Sequence, residues 1–312
     1  MSSGHAPLVV SVPDEEYAAQ LADLDGVDTL VWDMREPHPR VAELDLVVRP
    51  YLHPVDLAAR LQGADSLKVV QIQSAGYEDV LPQVPAGVTL CNAAGVHDAS
   101  TAELAVGLAI AALRGIPEFV RRQDEHVWQD WSYRRSLADS RVVLLGYGQI
   151  GRAIASRLRP FEVSLTAVAS RPRPGDDLVD WVHGIEELPD LVGQADVLII
   201  IVPLTPTTRG LVDADLLARM PDGALVVNVA RGGIVDTDAL VAECETGRLQ
   251  AALDVTDPEP LPADHPLWAT PGVLITPHVG GATRAMRPRS IALARHQIEA
   301  LRDGRPLANV VS

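Results

Sequence analysis

The sequence predicts an α/β chain of two doubly wound parallel-sheet domains with a cleft between them. Three observations carry that class. Short apolar runs alternate with helical patterns from Leu8 to Cys91, and the same rhythm restarts at Arg141 and continues to Ile275. A strand–helix–strand rhythm of this kind builds parallel sheets covered by helices. Four of the later runs, VVLLGYGQIG, LVVNVARGG, AALDVTDPEP and VLITPHVGG, end in glycines or in reactive polar side chains. In open parallel sheets the carboxyl ends of the strands converge on one crevice, where ligands bind.

The first set of elements follows in order. Leu8–Val12 reads as a strand, and residues 14–24 as a helix with Asp14 as its N-cap. Further strands are expected at Thr29–Trp32, Leu46–Val48, Val69–Ile72 and Val88–Cys91, with helices after Pro54 and before Gly63. A long stretch from Ser100, containing AELAVGLAIAAL, is apolar nearly all round. Such a helix must be buried, and a second subunit could cover it; Pro117 should kink or end it. Residues 123–140 are mostly polar, with Trp128, Trp131 and Tyr133, and read as an extended connection.

The second set has strands at Val142–Leu145, Ser164–Val168, Val197–Val202, Leu225–Asn228, Ala251–Leu253 and Val273–Ile275. A last helix, about 284–303, ends at Gly304. It could return to the first domain. The expected division is 1–98 completed by 284–312, and 99–283.

Composition sets limits. The chain has 312 residues, enough for two cores, and a net charge of −16. Nucleic-acid binding needs clustered Lys and Arg, so no nucleic-acid partner is expected. No run reaches the ~20 apolar residues of a membrane span. The N-terminus, MSSGHAPLVV, has no basic segment before a long apolar one and does not read as a signal peptide. Cys91 and Cys244 have no metal-type spacing; no metal site is expected, and two thiols fit a reducing, cytoplasmic compartment.

The most specific local signal is Gly146-Tyr147-Gly148-Gln149-Ile150-Gly151, between an apolar strand and the helical pattern IGRAIASRL. That context reads as a dinucleotide turn. Gly146 permits the tight turn, Gly148 lets the backbone approach a pyrophosphate, and Gly151 lets helix pack on strand. The helix N-terminus offers N–H groups and positive potential to the phosphates. An NAD site usually has Asp or Glu at the end of the next strand to hold the ribose 2′-hydroxyl. Here SLTAVA ends in Ser170 and Arg171, followed by Arg173. An arginine attracts a 2′-phosphate that a carboxylate would repel. NADP(H) is therefore expected over NAD(H).

The motifs GYGQIG, PLTPTTRGL at 203–211, NVARGGIVD at 228–236, ALDVTDPEPL at 252–261 and TPHVGG at 276–281 stand in an order and spacing that resembles the D-isomer-specific 2-hydroxyacid dehydrogenases. The first third matches more loosely, through SAGYEDV at 74–80 and STAEL at 100–104. The resemblance implies Rossmann-like and flavodoxin-like domains, a nicotinamide cofactor, and interconversion of a 2-keto acid and a D-2-hydroxy acid. It implies His278 as the proton donor, Glu259 as the carboxylate that orients it and stabilises the imidazolium, and Arg231 as the electrode for substrate carboxylate and carbonyl. Such groups suit the chemistry: imidazole titrates near neutral pH, and fixed positive charge stabilises developing oxyanions. Asp257, two residues from Glu259, is a competitor for its role.

The resemblance further implies backbone N–H groups of Ala75 and Gly76 on the substrate carboxylate. It places Pro203, Ala230, Asp254 and Thr101 on the cofactor, Asp254 facing the nicotinamide carboxamide. Closure of one domain on the other would exclude water. Tyr51, Leu52, Tyr77 and Met286 are candidate pocket walls. SAGYEDV carries Glu78 where the family commonly has Asp. The expected function is reduction of a small 2-keto acid, of glyoxylate or hydroxypyruvate type, by a cytoplasmic homodimer using NADP(H). The alternatives are an NAD(H)-dependent enzyme with a larger substrate and a nucleotide-sensing corepressor-like binding protein.

Overall fold

A computed structural model describes residues 6–51, 55–130 and 132–311. The chain divides into two compact units, Met1–His97 with Arg284–Ser312, and Asp98–Thr283.

The first unit holds a five-stranded sheet of β1 (Leu8–Val12), β2 (Val27–Val31), β3 (Leu46–Val48), β4 (Val69–Gln71) and β5 (Thr89–Cys91), in the order β2-β1-β3-β4-β5. All four pairings are parallel. The helices of this unit are α1 (Glu15–Leu21), the single turn α2 (Leu57–Arg60) and α9 (Met286–Asp303). Asp14 caps α1 by accepting from the N–H groups of Glu16 and Tyr17. Alternate strand residues point to opposite faces. Val10, Val12, Leu46, Val48 and Val69 meet Tyr17 and Leu21 of α1 and Ile291, Ala294 and Ile298 of α9. Val9, Val47, Val70 and Leu90 pack with Leu57 and Leu61 on the other face. Each large apolar side chain so buried contributes about 1.5–3 kcal/mol. α9 ends where Gly304 takes φ +66.

The second unit contains α3 (Asp98–Leu113), α4 (Ile116–Asp124), α5 (Gln149–Leu158), α6 (Leu188–Leu191), α7 (Ala214–Arg219) and α8 (Thr237–Glu245). Its strands are β6 (Arg141–Leu145), β7 (Ser164–Ala169), β8 (Arg173–Pro174), β9 (Trp181–Gly184), β10 (Val197–Ile200), β11 (Leu225–Asn228), β12 (Gln250–Leu253) and β13 (Val273–Ile275). They form one sheet in the order β13-β12-β11-β10-β6-β7-β9-β8. The order reverses direction between β6 and β10, the switch point at which such sheets bind nucleotides. β10 is wholly apolar because both faces are covered, by Leu198 and Ile200 in one core and Val197 and Ile199 in the other.

Three local expectations are corrected. The edge hairpin of β8 and β9 pairs antiparallel, so this sheet is not parallel throughout. The break expected at Pro117 falls a few residues earlier: α3 stops at Leu113, Gly115 takes φ +68, and Pro117 sits in the first turn of α4. Proline is tolerated there because its missing N–H has no helical partner in any case. The two helices are bent by 66°. Residues 123 and 124 still belong to α4, and the irregular connection begins after them.

One face of α3 is covered within its own unit, while Leu104 and Ile110 are only partly buried. Ala102, Ala105, Leu108 and Ala109 are packed among residues of α5, β6, β10 and β11. No single helix among the described residues is long and apolar enough to cross a bilayer.

Candidate active site

β6 runs into the glycine turn. Gly146 has φ +114, and a Cβ there would lie 2.4 Å from the carbonyl oxygen of Ile201. A Cβ on Gly151 would lie 2.1 Å from the Gly146 oxygen, so only glycine lets α5 sit against the turn. Gly148 differs: no protein atom lies within 4 Å of its would-be Cβ. The turn is thus tight on its protein side and open at Gly148, where Gln149 starts α5 and is exposed. Such a cradle fits a dinucleotide pyrophosphate. Tyr147 is buried, and Ile150 packs on the core. Pro203 follows the adjacent strand β10, its carbonyl accepting from the Thr208 hydroxyl at 2.6 Å.

At the end of β7, Ser170 and Arg171 are exposed. Arg173, on β8, donates from its guanidinium to the carbonyl of Tyr147 at 2.8 Å.

Arg231, Glu259 and His278 follow β11, β12 and β13, consecutive neighbours in the sheet. His278 Nδ1 lies 2.5 Å from Glu259 Oε1, with each side chain 40% exposed. A carboxylate partner fixes the proton on Nδ1 and leaves Nε2 for exchange with a substrate. Chiefly the His278 bond, with the charge of Arg231 adding to it, holds the Glu259 carboxyl below the usual carboxylate range despite its burial. Arg231 donates to the carbonyl of Ala230 at 2.7 Å, and Asn228 accepts from the Ala230 N–H and donates to the Arg231 carbonyl. Among the described residues His278 pairs with Glu259, and Asp257 lies 3.7 Å from the Arg209 guanidinium.

The arginine's neighbouring glycine explains why the motif reads ARGG. A Cβ on Gly232 would stand 2.0 Å from the carbonyl carbon and oxygen of Thr256. The segment leading to Glu259 therefore lies directly on Gly232. Sequence reading did not find this contact, although the glycine pair was its signal.

Asp254, 2% exposed, holds the His278 loop. Its Oδ1 accepts from the Thr276 hydroxyl at 2.6 Å and the Val279 N–H at 2.9 Å, and its Oδ2 from the Gly280 N–H at 2.8 Å. Its carbonyl accepts from the His278 N–H at 2.7 Å. These bonds keep His278 at φ +52, a left-handed conformation unusual outside glycine. A carboxylate has about four acceptor positions, so about one remains for a carboxamide. Thr101, buried on α3, lies beside Gly280, and the Ser100 and Thr283 hydroxyls are 2.7 Å apart.

Ala75 and Gly76 belong to the first unit, on the loop that leaves β4. Asn92 donates to the Ala75 carbonyl at 2.8 Å, and the Ser74 hydroxyl donates to the Gly76 carbonyl at 2.7 Å. Tyr51 stacks on His97 at 5.4 Å, Met286 is buried with Ala93 and Val96, and Tyr77 packs at the edge of the core. Leu52 and Trp131 lie outside the described residues.

The sequence model of the family described as D-isomer specific 2-hydroxyacid dehydrogenase, NAD binding domain, matches residues 106–280. The human glyoxylate reductase/hydroxypyruvate reductase is 34% identical over 250 residues, which is 78% of this chain and 76% of that protein. A D-isomer specific 2-hydroxyacid dehydrogenase from Xanthobacter autotrophicus Py2, solved with NADPH and MES, is 28% identical with a TM-score of 0.82 over 99% of this chain and 98% of that one. An NADPH-dependent glyoxylate/hydroxypyruvate reductase from Sinorhizobium meliloti, solved with NADP and malonate, is 25% identical with a TM-score of 0.79 over 99% and 97%.

Proposed function

We propose that this chain, which belongs to the D-isomer-specific 2-hydroxyacid dehydrogenase family, uses Arg231, Glu259 and His278 to reduce a small 2-keto acid with NADPH. The chain is an NAD(P)-dependent dehydrogenase interconverting keto and hydroxy acids. The residues, the cofactor preference and the substrate are our own reading. One observation carries it: the 2.5 Å pairing of His278 with Glu259, on a carboxylate that also feels Arg231, at the carboxyl ends of three adjacent strands.

A bound nicotinamide supplies the hydride in reduction and accepts it in oxidation. The protein's own groups do the rest. His278 gives a proton from Nε2 to the carbonyl oxygen of the keto acid and, in the reverse direction, takes it from the hydroxyl. Glu259 accepts from Nδ1, sets the ring plane and offsets the imidazolium charge. The Arg231 guanidinium binds the substrate carboxylate and stabilises charge growing on the carbonyl oxygen.

NADPH is favoured because the end of β7 offers Ser170 and Arg171 and no carboxylate. The NADPH and NADP bound by the Xanthobacter and Sinorhizobium proteins support the same choice. A glyoxylate- or hydroxypyruvate-type substrate is favoured by the names of the human and Sinorhizobium relatives. The test is steady-state turnover on a panel of 2-keto acids with each cofactor. His278→Ala should lower turnover by orders of magnitude with cofactor affinity nearly unchanged; near-normal turnover would overturn the assignment.

We assign a homodimer contact to the segment after α3 rather than to α3 itself. Phe119, Val120 and Val127 are exposed there, and Trp128 and Tyr133 are 97% and 95% exposed. Analytical ultracentrifugation should give twice the chain mass, and Trp128→Glu should shift it toward one; a monomeric parent would refute the contact. A cytoplasmic compartment fits the two buried free thiols, Cys91 and Cys244, which burial pushes up to about 11 and about 12.

A further inference from the structure

We propose that Asp176 is a positioning residue for cofactor choice: with Tyr147 and Arg152 it fastens the Arg171–Arg173 segment to the dinucleotide turn. The proposal rests on the NADPH reading above and turns on Asp176, which no sequence motif named.

Asp176 lies just after β8 and bonds to three separate parts of the unit. Its Oδ1 accepts from the Tyr147 hydroxyl at 2.8 Å, and Tyr147 is the second residue of the glycine turn. Its Oδ2 lies 2.7 Å from the Arg152 guanidinium, on the first turn of α5. Its Oδ1 also accepts from the Leu178 N–H at 2.9 Å, which closes the loop between β8 and β9. Gly175 lets that loop fold back, since a Cβ there would lie 1.8 Å from the Val179 oxygen. A fourth bond ties the hairpin down from the other side, where Arg173 donates to the Tyr147 carbonyl.

The geometry has a consequence for specificity. Ser170 and Arg171 are exposed loop residues, and a flexible arginine loses entropy when it grips a phosphate. Anchors on both sides of Tyr147 remove much of that cost before any ligand arrives. Fixing a group in its bound position improves affinity mainly by lowering what binding must order. The ribose of NADH carries no 2′-phosphate, so ordering this segment favours NADPH selectively. The Tyr147–Asp176 bond is also part-buried, Tyr147 being 5% exposed, which makes the attachment firmer than a surface pair.

The sign of the effect separates positioning from charge. Asp176 is an anion 2.7 Å from the Arg152 guanidinium. By charge alone, removing it would make the region more positive and tighten NADPH. By positioning, removing it loosens NADPH.

The experiment measures dissociation constants of NADPH and NADH by fluorescence titration, without substrate, for the parent, Asp176→Ala, Asp176→Asn and Tyr147→Phe. We expect Asp176→Ala to weaken NADPH by about tenfold and NADH by less than about twofold, the loss of one to two ordering bonds. Asp176→Asn, which keeps acceptors for Tyr147 and Leu178, should recover part of the loss, and Tyr147→Phe should weaken NADPH by about fivefold. An unchanged or tightened NADPH constant in Asp176→Ala, with a parent that prefers NADPH, would overturn the proposal and leave the cofactor reading intact. A parent that prefers NADH would overturn the cofactor reading and this proposal with it. If Asp176→Ala does not fold, Tyr147→Phe decides alone: it removes one oxygen atom, and an unchanged ratio of the two constants refutes the fastening.

Discussion

Gly148 and Gly151, two of the three glycines of the turn, should fail in opposite ways when given a methyl group. In Gly151→Ala the new Cβ stands 2.1 Å from a backbone oxygen, roughly 1.3 Å short of ordinary contact. Backbone cannot yield as a side-chain tip can, so α5 must move off the β6 turn. Overpacking of this kind costs about 1–3 kcal/mol, and here the upper end applies. In a unit of this size that lowers the melting temperature by about 6–12 °C. In Gly148→Ala the Cβ meets nothing within 4 Å, and the residue is already extended at φ −93 and ψ −155. Its melting temperature should stay within about 2 °C of the parent, as for an exposed neutral substitution. Its cost falls on the ligand. The methyl fills the space through which backbone N–H groups approach a phosphate. A hydrogen bond to a charged group is worth about 1.5–3 kcal/mol, and two weakened bonds amount to about 3 kcal/mol. That is more than a hundredfold in the NADPH dissociation constant. The assay is a thermal melt and an NADPH fluorescence titration on both variants. A Gly148→Ala protein with parental melting and parental NADPH affinity would remove the turn from cofactor binding. An unshifted melt for Gly151→Ala would refute the packing argument.

Three further outcomes follow from the same geometry. Glu259→Gln removes the charge from a 2.5 Å bond between half-exposed partners, so keto-acid turnover should fall about tenfold to thirtyfold with NADPH affinity unchanged; parental turnover would release Glu259 from its role. Asp254→Asn turns an amide N–H toward one of the three donors that its carboxylate now accepts, at a cost of about 1–3 kcal/mol; turnover and melting temperature should fall together, and a variant that loses neither would show that the His278 loop holds itself. Asp196 accepts from the Arg141 backbone N–H and guanidinium, bonds that hold its carboxyl below the usual range. A depressed carboxyl contributes stability that is present above its unfolded pKa and lost as pH falls through its folded one. Asp196→Asn should therefore melt lower than the parent at pH 7, by about 1–2 kcal/mol, with the gap narrowing as pH falls below about 4; a gap of unchanged size at about pH 3 would refute an ionic origin.

The fold was legible wherever apolar runs were long enough to be buried on both faces. β6, β10 and β11 are four or five residues with almost no polar atom, and such runs have few other places in an α/β chain. β9, WVHG, escaped because it is near the sheet edge, half polar, and covered on one side only by the two-residue β8. The apolar pattern of α3 was read as buried, and much of its cover comes from its own unit. A one-dimensional pattern records that a face is hidden and not what hides it: here α5 and the strands do so, and the exposed apolar residues fall after Gly115.

The candidate site was legible in its placement, because Arg231, Glu259 and His278 each follow an apolar run that had to be a strand, and neighbouring strands bring their ends together. What the sequence left open was pairing. Asp257 and Glu259 are two residues apart in a turn-rich segment, and local sequence offers no means to choose between them. The choice is made by Gly232, Arg209 and His278, which come from three other segments: the first supports the backbone of the loop, the second lies near Asp257, and the third receives Glu259. Asp176 was invisible for the same reason. Its partners lie 29 residues away in the turn and on the first turn of α5. A polar residue whose work is to hold another in place has no motif of its own, since its requirement is a distance and an acceptor rather than a reactive group. Such residues are therefore where a cofactor preference can change without any change in the residues that touch the cofactor.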